Sequence, residues 1–257
     1  ENPRFVLPEE RINEIKEFTR QGLKDFSISR LKEKMPWGVP VPGDEKHVMF
    51  VWFDALINYV SCLGWPDNLE RFNDFWPGIQ VAGKDNLRQQ SSMWQAMLMS
   101  AGIPTSKQIF IHGFLTVDGQ KMSKSLGNII DPFELIEKYG TDSVRYYFLK
   151  EIPSTEDGDF THEKFKERHN ADLVNGLGNL TARTMKLAEI FNFEFSVFGR
   201  FSDNNFQKII DEARKKYEKA MSEFKFNEAL TAVWEIVHFC DKYIEKEKPW
   251  QKRENFI

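Results

Sequence analysis

A change of rhythm along the chain constrains the fold more than any other feature. Between residues 47 and 117, short apolar segments rich in β-formers alternate with helix-like segments, and from about residue 130 onward only helical patterns follow. Strands that alternate with helices are typical of a parallel sheet with crossover helices, whereas long successive helices are typical of a bundle. The sequence therefore predicts an α/β domain followed by an all-α domain.

The individual elements follow from the same periodicity. Strands are predicted over 47–53, 80–82 and 107–116, with helices over 55–63 and 86–100 between them. Capping and stop residues predict further helices, which cover 9–20, 131–140, 141–150, 161–190, 204–224 and 227–246. Ligands of parallel sheets bind at the carboxyl ends of the strands. Polar residues occur at or near those ends, at Asp54, Gly83-Lys84-Asp85 and His112-Gly113.

Charge and cysteine content exclude several classes of protein. The net charge of −4 means that the overall field cannot attract nucleic acid, so any such binding must be local. The two cysteines, Cys62 and Cys240, exclude a disulfide framework and a four-cysteine zinc site, and they suggest a reducing compartment. No apolar run approaches the roughly 20 residues that span a bilayer. We expect a cytoplasmic protein without a membrane or DNA partner.

The most specific motif is Lys121-Met122-Ser123-Lys124-Ser125, which follows an apolar strand and an Asp118-Gly119 turn. Two lysines on a small flexible loop suit a reaction that releases charge only in its transition state, such as the departure of pyrophosphate from an α-phosphate. Most pairs of loop lysines are merely solvated. The complete pentapeptide in this setting favours the functional interpretation.

This pentapeptide resembles the KMSKS signature of the class I aminoacyl-tRNA synthetases. Other segments are similar to the methionyl-tRNA synthetases in particular, so that the resemblance covers essentially the whole chain; they are Ser27–Arg30, Trp37–Pro42, Val51–Tyr59, Asn170–Leu173 and Gly178–Leu180. The resemblance implies an α/β fold in which the second half of a Rossmann-like parallel-sheet domain precedes an all-α, helical-bundle, anticodon-binding domain.

The resemblance also implies a division into four parts. Residues 1–47 would be the end of a connective insertion returning to the catalytic domain, and 48–117 the second half of the Rossmann-like domain. Residues 118–160 would hold the KMSKS loop and linking helices, and 161–257 a truncated anticodon-binding bundle.

Four groups of site residues follow from matching positions. Lys121 and Lys124 would be catalytic. The ATP site would comprise Gly83, Asp85, Leu115 and the loop Lys121, Met122, Ser123, Lys124 and Ser125. The methionine pocket would comprise Trp52, Ala55, Leu56, Tyr59, Asn86, Gln90 and Trp94, and the anticodon would meet Asn179, Arg183 and Trp250. The chemistry suits these roles, because aromatic rings favour a thioether and single-stranded bases are read by stacking and hydrogen bonds.

One departure concerns the helix after Asp85. Gln89 and Gln90 stand where the family usually has an aromatic residue and a histidine, and Asn86 replaces an aliphatic residue. Gln90 can still donate and accept hydrogen bonds. The amino-acid pocket is therefore either a lineage variant of the methionine site or one of shifted specificity.

Two family features are missing from this sequence. None of its five histidines lies in a HIGH-type motif, and two cysteines cannot form the zinc-binding insertion. We therefore expect the carboxyl half of a synthetase core, inactive alone, using ATP with Mg²⁺, methionine and tRNA(Met); zinc would belong only to the missing insertion. The alternatives are a class I synthetase for another amino acid and a non-catalytic tRNA-binding protein.

Overall fold

The computed structural model describes residues 2–191 and 204–251 of the chain. The chain forms two compact units, Glu1–His112 and Gly113–Ile257. The four-part division expected from the sequence stays a prediction.

The first unit is built from six strands and five helices. In chain order these are β1 (Val6–Leu7), α1 (Glu9–Arg20), β2 (Ser29–Leu31), β3 (Pro40–Val41), β4 (Asp44–Met49), α2 (Val51–Leu56), α3 (Asn58–Ser61), α4 (Leu69–Phe75), β5 (Ile79–Gly83), α5 (Trp94–Ser100) and β6 (Gln108–His112). A 3₁₀ turn, Lys84–Asn86, and a π-helical turn, Gln89–Met93, lie between β5 and α5.

A three-stranded parallel sheet in the order β1-β6-β5 forms the centre of this unit. The middle strand is buried through Ile109, Phe110 and Ile111, as expected of a parallel strand covered on both faces. Helix α1 packs on one face through Ile12 and Ile15. The predicted parallel α/β arrangement is confirmed.

The strand predicted over 47–53 is wrong in its second half. β4 ends at Met49 and pairs antiparallel with β2 and β3 in a separate sheet, while α2 begins at Val51. From Trp52 onward the apolar residues Trp52, Leu56 and Val60 recur every four positions and pack in one cluster. Helical packing therefore outweighs the β propensity of the segment.

The strand predicted over 107–116 is also divided. β6 ends at His112, and the next strand begins at Leu115 in a different sheet. Gly113 lies between them, and a Cβ there would overlap the backbone of Glu156. The close approach of two backbones explains the glycine and the break.

The described residues of the second unit form a small sheet and six α-helices. Its elements are β7 (Leu115–Val117), β8 (Gln120–Lys121), α6 (Pro132–Tyr139), α7 (Thr141–Glu151), β9 (Gly158–Phe160), α8 (His162–Arg168), α9 (Asn179–Ile190), α10 (Asn204–Ser222) and α11 (Phe226–Glu247). A π-helical segment, His169–Gly178, joins α8 to α9, so the predicted helix over 161–190 is continuous but irregular.

Local capping fixes where several of these helices begin. Asp131 Oδ1 accepts a hydrogen bond from the Phe133 N–H at 2.8 Å, and Thr161 Oγ1 accepts one from Lys164 at 3.1 Å. Helix α6 stops at Gly140, whose φ of +82° favours glycine. From His162 onward the described residues form only helices and turns, as predicted, whereas the strand β9 was not predicted. None of the helices described is long and apolar enough to span a membrane.

Candidate functional site

The carboxyl ends of β5 and β6 bring the first group of predicted residues together. Gly83 and His112 are register partners at the ends of these two parallel strands. Asp85 follows in the 3₁₀ turn, and a Cβ on Gly83 would lie only 2.9 Å from Asp85 Oδ1. The glycine therefore allows the carboxylate to fold back over the strand end, which is where ligands of parallel sheets bind.

An aromatic cluster lies in the same unit and is connected to this edge through residues 84–94. Trp94, at the start of α5, is only 2% exposed, and its ring centroid lies 5.9 Å from that of Tyr59 on α3. Leu56 is buried in the same cluster, with Trp52 half-buried against it. Four predicted pocket residues are therefore brought together from α2, α3 and α5.

The remaining predicted pocket residues have different surroundings. Ala55 lies on α2 and is exposed, and Asn86 lies half-buried in the 3₁₀ turn. Beside the cluster, a cavity of about 410 Å³ is bounded by apolar side chains that include Phe53, Met93 and Trp94. Its size falls within the ordinary range for small-molecule sites.

Gln90 contacts the aromatic cluster from the π-helical turn. Its side-chain Nε2 donates to the Tyr59 hydroxyl oxygen at 3.0 Å. The turn is defined by the Trp94 N–H, which donates to the Gln89 carbonyl five residues back. Such π turns are often found at functional sites. A helix was predicted here, but its π geometry was not.

The π turn also carries an unusual concentration of unsatisfied polar atoms. Among the described residues, no partner lies within hydrogen-bonding distance of four buried atoms on it or next to it, which are Gln89 Oε1, Gln90 Oε1, Ser91 Oγ and Trp94 Nε1. Leaving a buried polar group unpaired costs about 1–3 kcal/mol. Such groups call for an explanation, and a bound polar ligand supplies one.

The KMSKS motif begins in a tight hairpin of the second unit. β7 and β8 pair antiparallel, with Thr116 opposite Lys121, and Asp118 and Gly119 form the two-residue turn with φ of 51° and 71°. Two positive φ values define the turn type for which Asp-Gly is preferred. Leu115, predicted to belong to the ATP site, begins β7 and is half-buried.

Side-chain hydrogen bonds hold the loop that follows. Asn128 accepts from the Ser123 N–H at 2.8 Å and donates to the Lys121 carbonyl at 3.2 Å, and the hydroxyls of Ser123 and Ser125 lie 2.7 Å apart. The Lys121 ammonium is 5.9 Å from the centroid of the Phe114 ring. Met122 is half-buried. The Lys124 side chain lies outside the described part of the chain.

Asp159 fastens the hairpin turn to the adjacent strand. Its Oδ1 accepts from the Gly119 N–H and from the Thr116 hydroxyl, both at 2.7 Å. These hydrogen bonds, that of Gly119 first, lower the pKa of the Asp159 carboxyl below its ordinary value. The charged form therefore holds the turn at neutral pH.

The predicted anticodon residues lie at the far end of the sequence. Asn179 and Arg183 are one helical turn apart on α9, and Asn179 is exposed. Arg183 Nη1 is paired with Asp241 Oδ1 of α11 at 2.6 Å and lies 3.8 Å from Glu245. Trp250 follows α11 in a 3₁₀ turn and is 47% exposed.

Sequence reasoning missed the residues that support these positions. Asn128, Asp159 and Asp241 each contact a predicted site residue or its hairpin, yet they are distant from it in sequence or lie outside the recognised motif. Only Asn128, three residues after Ser125, could have been suspected from its position. Across residues 2–191 and 204–251, no group of three or more His, Cys, Asp or Glu side chains is arranged to hold a metal ion.

Comparisons with known proteins agree with this geometry. The family described as tRNA synthetases class I (M) matches residues 1–185. Methionine–tRNA ligase of Brucella suis is 45% identical over 98% of this chain and 49% of its own length, and that of Thermotoga maritima is 43% identical over 97% and 40%. The chain spans about half the length, or less, of the curated relatives it matches.

Solved structures extend the agreement to three dimensions. The methionyl-tRNA synthetase of Mycobacterium tuberculosis bound by methionyl-adenylate matches with a TM-score of 0.89 and 40% identity, covering 97% of this chain and 50% of that one. Its free form matches with a TM-score of 0.83 and 37% identity. Taken with the strand-end edge, the aromatic cluster and the KMSKS hairpin, these likenesses show that the chain belongs to the methionyl-tRNA synthetase family of class I tRNA synthetases.

Proposed function

We propose that this protein activates methionine with ATP and transfers the methionyl group to tRNA(Met). In the first step a carboxylate oxygen of methionine attacks the α-phosphorus of ATP, and the bond to the leaving pyrophosphate breaks. A hydroxyl oxygen at the 3′ end of tRNA then attacks the methionyl carbonyl carbon, the bond to the phosphate breaks, and AMP leaves. Mg²⁺ enters with ATP as part of the substrate.

The continuity of one segment carries this proposal. Residues 83–94 run from the strand-end pair Gly83 and Asp85 into the π turn whose Gln90 contacts Tyr59 in the aromatic cluster. An amino acid bound against the cluster would thus have its carboxylate near a nucleotide bound at the strand end. Holding two reactants in that relation is the main contribution that an enzyme makes to such a transfer.

The two lysines of the KMSKS loop would stabilise the triphosphate as charge develops on pyrophosphate. Asn128 supports this role, because it ties the backbone at Lys121 and Ser123 while the Lys121 side chain remains exposed. Gly83, Asp85, Leu115 and residues 121–125 are accordingly proposed to bind ATP. Ala55 and Asn86 are proposed to complete the methionine pocket.

The bundle would recognise the anticodon through Asn179, Arg183 and Trp250. The exposed Trp250 ring offers a stacking surface, and stacking contributes about 1–3 kcal/mol per base. Arg183 is already fixed by Asp241 and Glu245, so its orientation is set before RNA arrives.

ATP–pyrophosphate exchange with each of the twenty amino acids tests the proposal in the natural full-length protein. We expect methionine alone to support rapid exchange, and Lys121→Ala and Lys124→Ala each to slow it at least tenfold with little change in methionine affinity. The exposed Lys107→Ala serves as a matched control. Absence of methionine-dependent exchange would contradict the proposal.

A second amino-acid specificity is the other candidate. Among the residues that the structure describes, the amide oxygens of Gln89 and Gln90 have no hydrogen-bond partner, which favours a substrate with a polar side chain. The same panel of twenty amino acids decides between the two. Because the relatives have about twice as much chain, we also expect residues 1–257 alone to give no exchange.

A further inference from the structure

A buried chain of hydrogen bonds runs behind the aromatic cluster and reaches the π turn. It starts at Gln80 on β5, whose Oε1 accepts from the Ser106 hydroxyl at 2.6 Å. Ser106 Oγ in turn accepts from Gln95 Nε2 at 3.0 Å, and the Ser106 N–H donates to Gln95 Oε1 at 3.1 Å. The side chains of all three residues lie in the interior, at 3–5% exposure.

Gln95 connects this chain to the backbone of the π turn. Its Nε2 also donates to the Gln90 carbonyl at 2.8 Å, so both of its amide hydrogens are used. In an α-helix that carbonyl would accept from the Trp94 N–H, but here the Trp94 N–H goes to Gln89 instead. The Gln95 side chain thus satisfies the carbonyl that the π geometry releases.

The position of Gln90 depends on this geometry. A π turn holds one residue more than the α-helix it interrupts, so its conversion to α-helix would rotate the preceding residues by about 100°. Such a rotation would carry the Gln90 side chain away from Tyr59, to which it now donates at 3.0 Å. Because the Tyr59 oxygen accepts from Gln90, its own proton is left to donate to an acceptor on the bound amino acid.

We propose that Gln95, with Ser106 and Gln80, is a positioning residue that locks the π turn and thereby sets the selectivity of the amino-acid pocket for a side chain bearing a hydrogen-bond acceptor. The identity of the substrate, methionine, rests on the proposed function, whereas the role of Gln95 in holding the π turn does not. Norleucine is the matching probe, since it replaces the thioether sulfur of methionine with a methylene group.

The test compares Gln95→Met and Ser106→Ala with the control Gln108→Met in the natural full-length protein. Gln108 is a glutamine of the same unit that also donates to a backbone carbonyl, that of Arg4 at 2.7 Å, outside the Gln80–Ser106–Gln95 chain. Hydrogen–deuterium exchange of residues 89–94 reports the lock directly. Steady-state pyrophosphate exchange with methionine and norleucine reports selectivity.

For Gln95→Met we expect amide exchange in residues 89–94 to accelerate at least tenfold. We expect the KM for methionine to rise at least fivefold with kcat changed less than twofold, and the preference for methionine over norleucine to fall at least fivefold. Ser106→Ala should give the same changes in smaller degree, and Gln108→Met none of them.

Two results would overturn the proposal. Unchanged amide exchange of residues 89–94 in both variants would show that the hydrogen-bond chain does not hold the π turn. Faster amide exchange with an unchanged KM for methionine and an unchanged preference over norleucine would show that Gln95 has only a structural role. If the unaltered protein does not activate methionine, the proposed function fails. In that case the same comparison is made with the amino acid that the panel of twenty shows to be active, in place of methionine, and with the hydrocarbon analogue of that amino acid, in place of norleucine.

Discussion

The described residues include two π-helical segments, which differ in how their polar groups are satisfied. The first, Gln89–Met93, includes the buried Gln90, and buried polar atoms on and next to it have no partner within the described part of the chain. The second, His169–Gly178, has ten residues of which none is buried. The second segment is a joint between α8 and α9, whereas the first is the one that we propose to contact the bound amino acid.

Around the second segment, four polar side chains are paired with one another; they are Tyr146, Glu151, Arg168 and Asp172. Arg168 Nη2 binds Glu151 Oε2 at 2.7 Å, and Arg168 Nη1 lies 3.5 Å from Asp172. The Tyr146 hydroxyl donates to Asp172 Oδ2 at 2.6 Å, and its ring stacks on Trp234 at 4.9 Å. These contacts join α7, α8, the π segment and α11.

Gly178 also supports a structural role for the joint, His169–Gly178. A Cβ at Gly178 would lie 2.8 Å from the Leu173 carbonyl oxygen, a contact that backbone cannot relieve cheaply. The first π turn contains no glycine, and its side chains instead aim polar atoms into the interior. Paired charges therefore stabilise the second segment, whereas buried polar atoms of the first have no partner among the described residues. Substitutions that remove polar groups should affect the two segments unequally.

The largest expected effect is at the joint. Arg168→Met leaves Glu151 and Asp172 without their cation, and these carboxylates are only 27% and 14% exposed. Loss of one partner of a half-buried pair should lower the free energy of unfolding by about 2–3 kcal/mol. Urea denaturation followed by circular dichroism measures it.

Arg214→Met is the matched control, because Arg214 forms a single pair with Glu218 while 75% exposed. Surface pairs contribute about 0–1 kcal/mol, so this variant should be close to the unaltered protein. Equal losses in the two variants would show that the cluster around Arg168 is no more than a surface network.

A smaller effect is expected in the pH dependence of the free energy of unfolding, through Tyr146 beside the second π segment. Burial first, and then the hydrogen bond to Asp172, raises the pKa of Tyr146 well above its ordinary value. Because the pKa is higher in the folded state than in the unfolded state, its contribution to stability is complete at pH values below the unfolded-state pKa. That contribution is lost as pH rises above about 10, by about 1.4 kcal/mol per pH unit. Urea denaturation between pH 8 and 11 should show this loss.

Tyr146→Phe should remove that part of the slope. Tyr147, whose pKa burial raises to about 12, contributes to both proteins alike and cancels in the difference. Identical slopes for the two proteins would mean that the Tyr146 hydroxyl ionises as freely in the folded state as in the unfolded one.

The smallest effect on stability is expected in the first π turn. Gln90→Met removes an unpartnered buried oxygen together with the bond to Tyr59, which is half-buried. Losing an unsatisfied group offsets losing one hydrogen bond, so the free energy of unfolding should change by less than about 0.5 kcal/mol. A decrease comparable to that of Arg168→Met, measured in the same urea titration, would break the comparison between the segments.

Local signals explain what could be predicted from the sequence. Asp131-Pro132 and Thr161 predicted helix starts that side-chain caps confirm, and Asp118-Gly119 predicted a turn that the β7–β8 hairpin contains. The strand over 47–53 failed because Trp52, Leu56 and Val60 satisfy a helical period that only their common core reveals. The roles of the individual site residues stay predictions.

The sequence by itself determined the two kinds of domain, the Asp118-Gly119 turn before the KMSKS motif and the family, because each depends on periodicity, turn residues or a contiguous motif. The tertiary structure decided the π geometry of Gln89–Met93, the burial of polar atoms that have no partner among the described residues, and the fixed orientation of Arg183. These depend on partners far apart in the chain: 31 residues separate Gln90 from Tyr59, 26 separate Ser106 from Gln80, and 58 separate Arg183 from Asp241. Hydrogen bonds act over about 3 Å, so only the folded chain determines which distant groups meet.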